Sequence, residues 1–151
     1  MELGRECNVK YNIYSPAPCP PQSHFAQIAP LIDICIPNRT EALELGGNGD
    51  LTEAAKNIRE LGVKNVLITL GGDGFGVLPD GGEFKTFPLE HKVKVVDTTG
   101  AGDSFSGALA HSLNTGKLQN LVDHAFFASH IASLSVTKNG TQKSYPSRRD
   151  I

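Results

Sequence analysis

Apolar positions along this chain recur with two periods, and the switches between them mark out the elements. "VKYNIY" (Val9 to Tyr14) alternates apolar and polar side chains, as a strand with one buried face does. "HFAQIAPLIDICIPN" predicts a short helix and then a buried strand over Ile32 to Ile36, stopped by Pro37. In "DLTEAAKNIREL", Leu51, Ala54, Ala55, Ile58 and Leu61 make one helical stripe. "KNVLITL" (Lys64 to Leu70) reads as a central strand ended by "GGDG", and "FGVLPDGGEFKTF" as a hairpin turning at Asp80-Gly81-Gly82. "VKVV" (Val93 to Val96) predicts another strand. A helix from about Ala101 to Asn114 is expected to bury Phe105, Ala108, Leu109 and Leu113. A second, near Gln119 to Ser135, is expected to bury Leu121, Val122, Ala125, Ala128 and Ala132. Strands alternating with helices imply an α/β protein with a mainly parallel sheet.

Local signals sharpen the boundaries. Asn38 with Glu41, and Asp50 with Glu53, have capping-box spacing, in which two side chains satisfy free backbone N–H groups reciprocally. The proline cluster "SPAPCPPQ" (Ser15 to Gln22) predicts a stiff extended connection. Composition narrows the function classes. With 151 residues the chain suits one domain, 1–151, and a net charge of -2 gives no reason to expect nucleic acid or an anionic membrane as partner. No stretch approaches a membrane span, and "MELGRECNVK" lacks the apolar run of a signal peptide, so the cytosol is expected. Cys7, Cys19 and Cys35 show no metal-binding spacing and read as free thiols. His91, His111, His124 and His130 fit surface or helix positions without forming ligand pairs.

The chemistry concentrates in "VVDTTGAGDSFSGAL" (Val95 to Leu109). Asp97 is expected at the carboxyl end of a strand, where open α/β sheets carry their ligands. Gly100 and Gly102 let the backbone approach a ligand closely, and the N–H groups of Gly100, Ala101 and Gly102 lie at a helix start that favours negative charge. Such a cradle stabilises charge developing on a transferring phosphoryl group. Asp103, one turn into the helix, is then placed to accept a proton from an attacking hydroxyl. An acidic first helical turn alone would explain one Asp through the helix dipole. It would not explain Gly-Ala-Gly bracketed by two.

"DTTGAGDSF" resembles the signature of the ribokinase-like sugar kinases, the phosphofructokinase B family. "PNRTEA" resembles that family's N-x-x-E segment, "LITLGGDG" its nucleotide-binding strand and loop, and "SVTKNGTQKSYP" its closing segment. The resemblance runs from about Val9 to the C-terminus. It implies a ribokinase-like three-layer α/β/α sandwich and an ATP-dependent sugar kinase, with ribose as the favoured sugar. Asp103 would be the general base and would meet the sugar hydroxyl, with Gly100, Ala101 and Gly102 as anion hole. Asn38, Thr69, Gly71, Gly72, Asp73, Gly74, Gly102, Asp103 and Ser129 would bind the nucleotide, Ser129 standing where ribokinases often carry an Asn. Asn38 and Glu41 would act near the triphosphate and Mg2+, although a capping box alone gives the same spacing. Asp97, Thr99, Ser135, Lys138, Gly140 and Ser144 match the positions that hold a monovalent cation, K+, although Asp97 could equally cap its own turn.

Family members are about twice this long. The resemblance implies that this chain is the C-terminal nucleotide-binding and catalytic half. The sugar-binding segment, and the β lid through which relatives often form homodimers, would then lie outside it. Two readings follow: a sugar or nucleoside kinase represented by this half, and a non-catalytic nucleotide- or partner-binding fragment.

Overall fold

Pro37 closes a strand and Asn38 opens the next helix, and this junction shows how local chemistry sets the architecture. The Asn38 side chain accepts the Glu41 N–H at 2.9 Å, and the Glu41 carboxylate accepts the Asn38 N–H at 2.8 Å, so the predicted box forms in full. Of the box expected at Asp50 and Glu53 only half forms: Asp50 accepts the Glu53 N–H at 2.8 Å, while the Glu53 carboxylate lies against Gly49 instead. The computed structural model describes Cys7 and residues 9–47, 49–147 and 149–150. It has two compact units, one running up to Gly71 and including Gly76–Phe87, the other comprising Gly72–Phe75 and the chain from Pro88 onward.

The first unit carries, apart from Phe75, a five-stranded sheet in the order β1-β2-β3-β4-β5, with β1 Ile13–Tyr14, β2 Ile34–Cys35, β3 Asn65–Thr69, β4 Phe75–Leu78 and β5 Lys85–Phe87. β1 pairs with β2 and β2 with β3, both in parallel, with Ile13 opposite Ile34 and Cys35 opposite Val66. Helix α1 (Gln22–Ile28, continued by a 3-10 turn at Ala29–Leu31), α2 (Arg39–Gly46) and α3 (Leu51–Glu60) supply the crossovers. Phe25, Leu45, Ala55, Ile58, Val66 and Ile68 form the core, all at most 1% exposed. Burying a side chain of this size contributes about 1.5–3 kcal/mol. The hairpin turns where expected, with the Gly82 N–H on the Pro79 carbonyl at 3.0 Å and Gly81 at φ +68°.

The strand predicted over Val9 to Tyr14 is shorter than its alternation suggests. The Asn12 N–H is held by the Asp33 carboxylate at 2.8 Å, and paired strand residues run only from Ile13 to Tyr14.

The second unit is built on α4 (Ala101–Thr115) and α5 (Leu121–Ser135), packed against each other. Gly116 at φ +63° closes α4, and the Asn120 side chain caps α5 by accepting the Asp123 N–H at 3.0 Å. α4 buries Phe105, Ala108, Leu109 and Leu113 as predicted. α5 departs from expectation: Ala125 and Ala128 are buried, but Leu121, Val122 and Ala132 only partly. His124 is buried, its Nδ1 lying 2.7 Å from the Ser112 hydroxyl of α4. "VKVV" forms no ladder among the described residues either. Val95 and Val96 are 56% and 48% exposed, and the N–H groups of Val96 and Asp97 both turn to the Val136 carbonyl. Asp97 therefore follows an extended loop rather than a sheet strand. Among the described residues no helix is long and apolar enough to cross a membrane.

Candidate functional site

The predicted site residues fall in both units. In the first, the Thr69 N–H donates to the Pro37 carbonyl at 3.0 Å and Asn38 and Thr69 form a parallel bridge. The carboxyl ends of β2 and β3 thereby bring Asn38, Glu41 and Thr69 together, at the edge where α/β sheets carry ligands. Glu41 spends one carboxylate oxygen on the capping box. Asn38 is exposed and Glu41 partly so. Gly71 has φ +59°, and a Cβ added there would meet nothing within 4 Å.

Gly72, Asp73 and Gly74 continue the loop into the second unit. Gly72 and Asp73 are exposed, whereas Gly74 is buried at φ +103°.

In the second unit α4 starts at a glycine. Gly100, the residue before its first turn, is left-handed at φ +79° and supplies no side-chain cap. The first-turn N–H groups therefore need other acceptors. Ala101 gives its N–H to the Thr98 carbonyl at 3.1 Å, and Ser104 to the Gly100 carbonyl at 2.9 Å. The N–H groups of Gly100, Gly102 and Asp103 have no hydrogen-bond acceptor among the described residues. The open donors of this turn are thus Gly100, Gly102 and Asp103, while Ala101 is committed to its own turn. Beside Gly102 a Cβ would meet nothing within 4 Å, so the backbone at this residue is open to close approach. Asp103 is exposed on the same turn.

Behind this turn the chain closes on itself. Asp97 accepts the Thr99 N–H at 2.9 Å and the Thr99 hydroxyl at 2.7 Å on one oxygen, and the Gly140 N–H at 2.9 Å on the other. The Thr99 hydroxyl, then the Thr99 and Gly140 N–H groups, lower its pKa to about 2. Ser135 and Ser144 are each 1% exposed, with hydroxyls on the Ala132 and Thr141 carbonyls. Lys138 is exposed. Of the six residues matched to a cation site, the structure joins Asp97, Thr99 and Gly140 by direct hydrogen bonds. Thr141 and Tyr145 pack onto Gly100, a contact no sequence period signals because it spans some forty residues of loop and helix.

Ser129 is buried and lines a small cleft with Leu89, Glu90, Val93, Phe126 and His130. Thiol chemistry is disfavoured. Burial, with help from the Glu44 carboxylate, pushes Cys19 up to about 11, and burial and Glu41 push Cys35 up to about 12, so both stay protonated near neutrality. Among the described residues no cluster of His, Cys, Asp and Glu could hold a metal ion on protein ligands alone.

Residues 3–148 match the model of the pfkB family carbohydrate kinases. A ribokinase of Dictyostelium discoideum is 33% identical over all of this chain and 52% of its own length. Among solved structures, ribokinase from Thermotoga maritima is similar at TM-score 0.83 and 38% identity, covering 96% of this chain and 50% of that one. Arabidopsis thaliana ribokinase, solved with ribose and ATP, is similar at TM-score 0.74 and 32% identity, covering 83% and 41%. This chain spans about half the length of the curated relatives it matches.

Proposed function

Because the chain belongs to the pfkB family of carbohydrate kinases and has the family's ribokinase-like α/β fold, we propose that it is the nucleotide-binding and phosphoryl-transfer half of an ATP-dependent sugar kinase. The favoured acceptor is ribose, which the "NGTQKSYP" tail and the ribokinase relatives support. One observation carries the reading: an uncapped glycine turn leaves backbone donors open beside an exposed aspartate.

Transfer of a γ-phosphoryl group needs the acceptor deprotonated and the growing negative charge stabilised. The Asp103 carboxylate takes the proton from the attacking hydroxyl as the oxygen–phosphorus bond forms and the bond to ADP breaks. The open N–H groups of Gly100, Gly102 and Asp103, at the positive end of a fifteen-residue helix, meet the charge on the phosphoryl oxygens. Asn38, Thr69, Gly71, Gly72, Asp73, Gly74 and Ser129 are assigned to the nucleotide. Mg2+ is usually held by one or two carboxylates, water and substrate phosphates. Glu41, with one oxygen outside its capping box, fits that donor set and would help neutralise the triphosphate. Asp97, ionised and bonded to the Gly140 N–H, fits a monovalent cation such as K+, which Thr99, Ser135, Lys138, Gly140 and Ser144 would help hold through oxygen atoms.

A second reading is a nucleotide- or partner-binding chain without turnover. Phosphoryl transfer from ATP to a panel of sugars separates the two. The chain is assayed alone and together with the part of a ribokinase relative that it does not align with. Ribose-dependent ADP formation in the second case supports the kinase. Nucleotide binding without transfer to any sugar, in a properly folded combination, supports the fragment.

A further inference from the structure

The two glycines of the G-A-G turn have opposite surroundings. A Cβ at Gly102 would point into open space, whereas one at Gly100 would lie 2.7 Å from the Tyr145 hydroxyl, 3.4 Å from its ring and 3.4 Å from the Thr141 Cβ. Gly100 is left-handed, and glycine is the residue least constrained to remain in any one conformation. Something must hold it if the donors that follow are to stay aimed. Tyr145 is itself held. The Thr141 carbonyl accepts both the Ser144 N–H at 3.0 Å and the Ser144 hydroxyl at 2.7 Å. The preceding Gly140 is tied to Asp97 at 2.9 Å. The closing segment thus grips the loop at Asp97 and walls it at Gly100.

We propose that Tyr145 is a positioning residue for phosphoryl binding, acting through Gly100. Its hydroxyl and ring edge fill the side-chain space of the turn glycine and so restrict the backbone that presents the Gly100, Gly102 and Asp103 N–H groups. This inference rests on the reading of residues 100–103 as the phosphoryl site. A wall of this kind adds affinity by removing conformational freedom before the anion arrives.

The test compares Tyr145→Ala and Tyr145→Phe in the full 151-residue chain, using amide NMR spectra without ligand and calorimetric titration with Mg-ADP. Tyr145→Ala should shift and broaden the amide resonances of residues 98–103, leave those of α5 in place, and weaken Mg-ADP about two- to fivefold, the scale of glycine's extra backbone freedom. Tyr145→Phe, which keeps the ring edge at 3.4 Å but loses the nearer hydroxyl, should restore the larger part of both. If the alanine variant fails to fold, Tyr145→Val, too short to reach Gly100, repeats the comparison. Unmoved 98–103 amides in the truncated variants would overturn the proposal, and so would a phenylalanine variant as impaired as alanine. If the unaltered chain binds no Mg-ADP, its reading as a nucleotide-binding half falls, and the amide shifts alone decide the role of Tyr145.

Discussion

At Asp97 one carboxylate fastens two distant stretches of loop, and its charge is what does so. It accepts from Thr99 and from Gly140, and its pKa lies at about 2 against an ordinary 3.8. A lowered carboxylate pKa contributes order that is complete above the ordinary value and is lost as pH falls through the depressed one. The Thr99 and Gly140 amide resonances should therefore hold steady at pH 5 and titrate together near pH 2. A common midpoint near 3.8 would show that the bonds do not persist in solution. Gly100 is a different kind of constraint, because both its left-handed backbone and Tyr145 exclude a side chain. Gly100→Ala should destabilise the chain by about 1–2 kcal/mol, measured by denaturant unfolding. A neutral result would mean that the turn does not hold φ +79°.

Between Asn38 and Glu41 the same two side chains serve as helix cap and candidate nucleotide site, and one substitution separates the roles. Gln at the third helical position completes a capping box as Glu does. Glu41→Gln should therefore leave the melting temperature within a degree or two while weakening Mg-nucleotide binding, read by calorimetry. Unchanged binding would reduce the pair to a cap. This box could be read from sequence because it is made by residues three apart, as could the α3 stripe, β3 and the hairpin turn at Gly81. Elements defined by distant partners could not. "VKVV" is β-branched like a strand but pairs with no strand among the described residues, and Val95 and Val96 stay exposed. α5 is apolar on nearly every side, so its stripe did not show which face turns inward, and His124 was buried against Ser112 unannounced. At the candidate site, the G-A-G turn and Asp103 were legible as a motif. That Ala101 would spend its N–H on Thr98, or that Tyr145 would wall Gly100, depends on loop closure that no local pattern encodes.

For the molecule as a whole, the open donors of the 100–103 turn and the glycine loop after β3 should give the isolated chain weak binding of Mg-ATP or Mg-ADP. Turnover asks for more, since positioning the acceptor in line can account for about 7–11 kcal/mol of a barrier. The chain covers only about half of its relatives. The isolated 151 residues are therefore expected to show no ribose-dependent ADP formation in a coupled assay, and a rate abolished by Asp103→Asn would refute that. The most direct measurement pairs nucleotide affinity with turnover for Asp103→Asn in the chain completed by the remaining part of a ribokinase relative. The amide keeps the shape of the carboxylate and cannot take the proton. The expected result is an affinity for ATP within a fewfold of the unaltered protein and a turnover lower by about 10²–10⁴-fold. Turnover equal to the unaltered protein would contradict the assignment of Asp103 as the base, and with it the reading of this turn as the site of phosphoryl transfer.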